Sequence, residues 1–173
     1  DVTMETYGYT EQEAKFYDTL TNFISTGQAY ASSLPERDGR TVQLVLIAMQ
    51  KLASSSIAAI RRALKNRLAR IVAERETGEK RRLDSKAVED YEKAESEDNL
   101  DYLSQQEEEE WVRISIQLMA GEEPRLIELI AISEKVSQET KVQRIMDIID
   151  GKFSGEHILL FTEYKATQSL VMS

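Results

Sequence analysis

Basic side chains are concentrated on one stretch of the chain, where they could bind a negatively charged group. Residues 51 to 82 hold ten Lys and Arg but only three Asp and Glu. On a helix, Arg61, Arg62 and Lys65 lie within about 100° of one another and can present their charge together. Because phosphates are bound by such charge, we interpret Lys51, Arg61, Arg62 and Lys65 as candidate contacts to a DNA backbone. The alternative is a solvated face that pairs with acidic residues.

Three other groups could also carry chemistry. Ser54 and Ser55 could bind phosphate, although serines that precede a helical stripe more simply cap the helix. Glu107 to Glu110 offer four carboxylates, but adjacent helical residues point about 100° apart and cannot converge on one metal ion. His157 is the only histidine in the sequence, which excludes a multi-histidine metal site.

Composition and charge narrow the possible classes of protein. The net charge is −9, and residues 84 to 123 hold fourteen acidic and three basic side chains, so the chain has a basic and an acidic half. The absence of cysteine excludes disulfides, thiolate metal sites and a cysteine nucleophile. Because no apolar run reaches about 18 residues and no signal pattern opens the chain, we expect a cytoplasmic protein without a membrane partner.

Helical periodicity dominates the pattern between Thr10 and Gly151. A capping box at Thr10 and Glu13 predicts a helix from Glu11, and a loop is predicted over Leu34 to Gly39. The charged residues 84 to 110 predict an exposed helical hairpin or a mobile segment. Further helices are predicted over Thr41 to Ala53, Ile57 to Thr77, Trp111 to Met119, Pro124 to Ile132 and Ser137 to Asp150, the last ended by a left-handed Gly151.

Short strands are predicted near both ends of the chain. Val2 to Tyr7 alternate and are rich in β-branched and aromatic residues. The continuous apolar run from His157 to Phe161 is typical of a strand buried on both faces, as in a parallel sheet. The predicted fold class is therefore mainly α, a bundle of about six helices with one or two short terminal β-strands.

Four segments resemble, in the same order, parts of Swi/Snf-type superfamily-two ATPases, in particular the bacterial RapA-like and DISARM-type branch. HILLFTEYKAT at 157–167 is similar to K-V-L-I-F-T-E-Y-x-x-T, which opens the second RecA-like lobe, and ETKVQRI at 139–145 resembles the preceding D-S-K-L-x-x-L helix. TEQEAKFYDTL at 10–20 is similar to the L-T-E-E-E-x-x-L-Y segment after the first lobe, and QKLASS at 50–55 to Q-K-R-L-A-S-S-P. The chain departs from these patterns at Ser56, which replaces a Pro, and at His157, where Lys is common.

The resemblance implies a division of the chain. Residues 1–9 would be an inter-lobe strand or linker, 10–151 a helical inter-lobe domain, and 152–173 the start of a truncated second RecA-like lobe. The parent protein would be an ATP-dependent DNA helicase or translocase that binds ATP and Mg, contacts DNA and holds the two flanking lobes. Thr162 and Tyr164, in the turn after the last strand, would be further nucleic-acid contacts. The alternative is that Phe161 belongs to the core and Tyr164 only starts the next helix.

The chain itself lacks the parts with which that family hydrolyses ATP. It has no G-x-x-x-x-G-K-[ST] loop, no D-E-x-H pair and no Q-x-x-G-R-x-x-R segment. We therefore expect no catalytic, cofactor-binding or metal-binding residue in these 173 residues. The resemblance implies instead a role in coupling the two motor lobes. The alternative is a stand-alone acidic helical adaptor that binds proteins through its amphipathic faces.

Overall fold

The structure is a computed structural model, and it describes residues 4, 6–78, 109, 111–159 and 161. Most of these residues lie in five helices. The prediction of a mainly α fold is confirmed for this part of the chain. The helices are α1 (Glu11–Ala31), α2 (Glu36–Ser55), α3 (Ile57–Thr77), α4 (Glu122–Glu134) and α5 (Thr140–Lys152).

The first four helices enclose the core. Helix α1 packs on α2, α2 on α3, α3 on α4, and α4 returns to α1, so each of these helices buries one side against two neighbours. Apolar side chains recur at helical spacing along each of them, which is why they close around a common interior. The largest buried apolar side chains include Phe16, Leu46, Met49, Leu52, Ile57, Ile60, Leu64, Leu118, Met119, Leu126 and Leu129.

The start of α1 and the end of α3 follow the sequence prediction. The Thr10 hydroxyl accepts a hydrogen bond from the Glu13 amide at 3.2 Å, and the Glu13 carboxylate accepts one from the Thr10 amide at 2.8 Å. These two bonds are the predicted capping box, and α1 begins at Glu11. Helix α3 ends at Thr77, where Gly78 takes the left-handed conformation with φ of 68°.

Helix α2 begins earlier than predicted. The loop predicted over Leu34 to Gly39 is wrong in its second half, because α2 starts at Glu36, directly after Pro35. Gly39 is therefore a helical residue and is buried. A β-carbon at Gly39 would lie 2.6 Å from the Ala31 carbonyl oxygen, so glycine here allows α2 to approach the end of α1.

The helix predicted over Trp111 to Met119 is also wrong. Only Trp111 and Val112 are helical among these residues, and the chain from Arg113 to Met119 runs through turns. The apolar residues of this stripe are nevertheless in the core, since Trp111, Leu118 and Met119 are all buried. The segment thus contributes to the core without regular structure.

Near the chain ends, the predicted end of the last helix is wrong, and the predicted terminal strands are only partly covered by the described residues. Gly151 does not end the last helix, because α5 continues to Lys152 and the positive φ lies at Gly155, with 85°. Residues 4, 6, 7, 157–159 and 161 are not in strands, and the other residues of the two predicted strands lie outside the described part, so the terminal strands stay a prediction. The hairpin predicted over 84–110 also lies outside it, except for Glu109.

A candidate nucleic-acid interface and a polar joint beside it

The predicted basic cluster lies on α3, but its first arginine faces another helix. Arg61 is half-buried, and its Nε donates to the Ser133 hydroxyl at 3.1 Å. Its guanidinium also donates to the carbonyl oxygens of Ser133 and, at 3.4 Å, of Val136. These carbonyls lie at the C-terminal end of α4, where a cation is favourable. Arg61 therefore makes a structural contact between α3 and α4.

Arg62 and Lys65 lie on the accessible side of the same helix. Arg62 Nε is 3.5 Å from a Glu109 carboxylate oxygen, and Lys65 Nζ is 2.6 Å from Glu134, while their side chains are 61% and 50% exposed. The hydrogen bond from Lys65 and its charge lower the pKa of Glu134. The Lys65–Glu134 pair is exposed on both sides and contributes little to stability, so Lys65 could exchange its carboxylate for a phosphate. The Glu109 side chain is only 11% exposed, but the Arg62 guanidinium lies 3.5 Å from it and has its own surface open to a phosphate.

The sequence analysis missed the role of Arg67. This side chain has no exposed surface and forms an ion pair with Glu122, which is itself buried. Its guanidinium also donates to the carbonyls of Val112 at 2.7 Å and Ile116 at 2.6 Å. Glu122 in turn accepts from the Leu118 amide at 2.8 Å. This buried pair supplies hydrogen bonds to the irregular 112–118 segment, whose backbone groups lack helical partners.

The remaining sequence-predicted residues lie at the end of α2 or outside the described part. Lys51 is half-buried, and the Ser54 hydroxyl donates to the Gln50 carbonyl at 2.8 Å. The cap of α3 is Ser56, whose hydroxyl accepts from the Ala59 amide at 3.0 Å, and neither Ser54 nor Ser55 fills that place. Thr162 and Tyr164 are not among the described residues.

Several helix ends meet at the start of α5, in a cluster of polar side chains that we call the joint: Glu13, Glu139, Thr140 and Lys141. Glu139 directs both carboxylate oxygens at the N-terminus of α3, where they accept from the amides of Ile57 and Ala58 at 2.9 Å each. Together with Ser56 this satisfies the first three amides of α3. Lys141 Nζ donates to the carbonyls of Ser54 at 3.1 Å and Ser55 at 3.4 Å, at the end of α2.

Glu13 links the joint to α1. One of its oxygens accepts from the Thr140 amide at 2.7 Å, which is the first amide of α5, and the other accepts from the Thr140 hydroxyl. Burial alone would raise the pKa of Glu13, but the hydrogen bonds from Thr140 and Thr10 outweigh it, so the pKa is lowered. The carboxylate is thus held in its charged form between two helix N-termini.

Neither Glu13 nor Glu139 was identified as a long-range contact from the sequence. The capping box shows what Glu13 does within α1, but its bond to Thr140 spans 127 residues of sequence and leaves no local signal. For Glu139 a signal exists, since an acidic residue directly precedes the helix in the segment that resembles D-S-K-L-x-x-L. Reading that residue as a ligand for another helix N-terminus would have required the fold.

Other features of the described residues offer little chemistry. Within residues 6–78 and 111–159 no three His, Asp or Glu side chains come together as a metal site would require. A shallow groove of about 250 Å³ between α1 and α4 is lined by Asp18, Asn22, Arg125 and Glu128 among others. None of the described helices is both long and apolar enough to cross a membrane. Comparison with protein-family models, curated proteins and solved structures finds no match to this chain.

Proposed function

We propose that this chain is the helical inter-lobe module of a Swi/Snf-type ATP-dependent DNA translocase or helicase. In this role it joins two RecA-like lobes, transmits their relative movement and presents a basic surface of α3 to the DNA backbone. ATP and Mg are bound by the lobes of the parent protein. The chain itself carries no part of the hydrolytic site.

Three of the segments that resemble the family come together at the joint, and this contact is the main support for the proposal. Residues 10–20, 50–55 and 139–145 are far apart in sequence, and each resembles a different segment of the family. Glu13 of the first accepts hydrogen bonds from Thr140 of the third, and Lys141 of the third donates to Ser54 and Ser55 of the second. If the three segments belong to one inter-lobe module, they are expected to be in contact. Their contacts at the joint therefore support the view that the three resemblances have the same cause.

The residues after α5 give a second line of support. Ile158, Leu159 and Phe161, from the run that resembles the first strand of the second lobe, are 40%, 76% and 89% exposed. Burying large apolar side chains away from water is favourable, so these three exposed residues favour a partner surface. In our proposal that partner is the rest of the second lobe.

The proposed DNA surface is smaller than the one predicted from the sequence, because Arg61 is excluded from it. Arg61 binds the end of α4, whereas Arg62 and Lys65 are exposed and three residues apart on one helix face. We therefore propose Arg62 and Lys65 as the principal phosphate contacts. The other candidate DNA contacts predicted from the sequence are kept as candidates: Lys51, Ser54, Ser55, Thr162 and Tyr164.

Salt-dependent DNA binding tests this surface. We expect a labelled duplex oligonucleotide to bind the wild-type chain at low salt, measured by fluorescence anisotropy. The double variant Arg62→Gln/Lys65→Gln should bind more weakly and lower the slope of log K against log salt by about 2, since each phosphate contact contributes roughly 0.9. Arg37→Gln/Arg40→Gln is the matched control, because these arginines are also exposed and three residues apart, on α2. Equal losses in the two double variants would reject the α3 surface.

Catalytic competence separates the proposal from a self-sufficient enzyme. The purified 173-residue chain should hydrolyse no ATP, with or without DNA, because the phosphate loop and the arginine finger are missing from it. Turnover above a no-protein control, retained through further purification, would overturn the inter-lobe role. The alternative of a protein adaptor predicts no salt-dependent DNA binding and a protein ligand for the exposed apolar residues.

A further inference from the structure

The two cations proposed to bind DNA have acidic partners of different exposure. Arg62 Nε lies 3.5 Å from Glu109, whose side chain is only 11% exposed. Lys65 Nζ lies 2.6 Å from Glu134, whose side chain is 52% exposed. An exposed carboxylate can leave its partner for water at little cost, whereas a mostly buried one would lose its compensation inside the protein. Of the two ion pairs, Lys65–Glu134 is therefore the one that opens more easily.

Glu134 lies where its own helix does not favour a negative charge. It is the last residue of α4, and the helix dipole disfavours an anion at a C-terminus. The Arg61 guanidinium occupies this helix end, donating to the carbonyls of Ser133 and, at 3.4 Å, of Val136. The hydrogen bond from Lys65 and its charge lower the pKa of Glu134, and the charge of Arg61 adds to this. The charged form of Glu134 is thus stabilised by side chains of α3.

A carboxylate and a phosphate make the same kind of contact with a lysine. In both cases the ammonium group donates a charge-assisted hydrogen bond to an anionic oxygen. The two anions repel each other when they lie against the same ammonium group. A phosphate that approaches Lys65 therefore displaces Glu134, and Glu134 returns when the phosphate leaves.

We propose that Glu134 is an internal competitor for the phosphate contact of Lys65, which weakens the binding of DNA to α3 and eases its release. This inference rests on the proposed function and adds the regulation of its DNA surface. It gives the two cations different tasks, since Arg62 keeps Glu109 while it contacts a phosphate and Lys65 exchanges one partner for the other. A module that moves along DNA has to break such contacts repeatedly, and this exchange leaves Lys65 paired before and after.

The first measurement tests the ion pair itself and uses no DNA. The side-chain carboxyl of Glu134 is titrated by NMR in the wild-type chain and in Lys65→Gln. Its pKa should lie below the ordinary value of a glutamate in the wild type and should rise in the variant, which lacks the donor and the charge. Arg75→Gln removes another exposed cation from α3 and should leave this pKa unchanged. Equal pKa values in the wild type and Lys65→Gln would reject the competitor, whether or not the chain binds DNA.

The second measurement compares DNA affinity after the removal of one negative charge. Glu134→Gln keeps the size of the side chain and removes the competitor. Glu128→Gln is the matched control, because it removes the same charge from an exposed position of the same helix, on the side of the groove with α1. By fluorescence anisotropy at low salt, Glu134→Gln should bind a labelled duplex about two- to fivefold more tightly than Glu128→Gln, as expected for one exposed ion pair. Equal affinities would mean that net charge alone matters, and the proposal would be wrong.

Lys65 provides the last control. In the Lys65→Gln background, Glu134→Gln should gain no more affinity than Glu128→Gln, because no ammonium group is left to compete for. A full gain without Lys65 would contradict the proposal.

The outcomes distinguish this inference from the proposed function. If the wild type binds DNA and Arg62→Gln/Lys65→Gln weakens the binding, while Glu134→Gln and Glu128→Gln bind alike, only the competitor is rejected. If none of these proteins binds DNA although NMR detects the ion pair, the DNA surface is rejected and the competitor with it.

Discussion

Arg67 is the residue on which the irregular segment before α4 depends. It is fully buried, pairs with Glu122, and donates to the carbonyls of Val112, Ile114 and Ile116. Removing one partner of a buried ion pair leaves a charge without compensation, which is far more costly than the loss of a surface pair. The arginine therefore determines the path of a segment that has no helix or strand of its own.

We expect Arg67→Met to lower the free energy of unfolding by about 3–5 kcal/mol, because Glu122 and the carbonyls would stay buried without their donor. Arg75→Met is the control, as Arg75 pairs with Glu123 at the surface and its side chain is 61% exposed. That change should cost less than about 1 kcal/mol. Urea denaturation of both variants measures the difference, and similar losses would contradict the role given to Arg67.

A double-mutant cycle extends this test to the pair. Arg67→Met/Glu122→Met should destabilise the protein less than the sum of the two single changes, since the double variant leaves no unpaired buried charge. The carbonyls of the 112–116 segment would still lack a donor, so recovery should be incomplete. Strict additivity of the two losses would mean that the two side chains do not act as a pair.

Ser56 is the second residue with a separable role. Its hydroxyl accepts from the Ala59 amide, so Ser56→Ala should cost about 1 kcal/mol, as the loss of an N-cap usually does. Ser54→Ala should be close to neutral, because the Ser54 hydroxyl is exposed and bonds only back to Gln50 among the contacts described. Thermal denaturation of the two variants side by side distinguishes the cap from its neighbour in the same serine block.

At the scale of the elements, the sequence predicted those helix ends that depend on neighbouring residues. The capping box fixed the start of α1, and the glycine after Thr77 fixed the end of α3, since both depend on neighbouring residues. The path of 113–119 was mispredicted because it depends on Arg67, at least 46 residues earlier in the chain. The partners of Arg61 and Glu139, 72 to 82 residues away, were beyond local patterns for the same reason.

The approach of α2 to α1 gives a prediction about two glycines. Gly39→Ala would place a β-carbon 2.6 Å from the Ala31 carbonyl oxygen, so it should destabilise by about 1–3 kcal/mol despite the better helix propensity of alanine. Gly151→Ala meets nothing within 4 Å and lies inside α5, so it should stabilise that helix by roughly 0.5–1 kcal/mol. Circular dichroism during chemical denaturation would register both effects, and opposite signs are the expected result.

At the scale of the whole molecule, acid should weaken the fold partly through the joint. The pKa of Glu13 is lowered in the folded state, so its contribution to stability is present above the unfolded-state value of about 4.3 and is lost as pH falls through the lower folded value. Burial raises the pKa of Tyr17 near this site, so Tyr17 stays neutral throughout that range.

We therefore expect the wild type to lose more stability between pH 6 and about pH 3 than Glu13→Gln does, although the variant is less stable at neutral pH. The measurement is the urea midpoint at each pH. Glu128→Gln, an exposed change of the same charge away from the joint, is the matched control. Parallel curves for all three proteins would show that Glu13 titrates alike in the folded and unfolded states.

The contrast between basic and acidic halves of the sequence also acquires a meaning at this scale. Arg62 reaches Glu109, and Arg75 reaches Glu123, so parts of the two halves neutralise each other across α3. The net charge of −9 therefore does not show that several basic residues of α3 are already paired with acidic residues. A DNA phosphate would have to compete with these carboxylates, and raising the salt concentration would weaken both kinds of contact.

The buried arginine pair has a consequence for the acidic stretch that precedes it. Helix α3 ends at Thr77. Near that end, Glu74 pairs with Arg70 and accepts a hydrogen bond from Ser115 of the returning chain, which Arg67 binds at Val112. Side chains of the bundle thus fix the chain both where it leaves α3 and where it comes back at Val112 and Ser115. The distance that residues 79–108 have to bridge in the sequence is consequently set by α3 and by the segment after Val112, whose positions the bundle fixes.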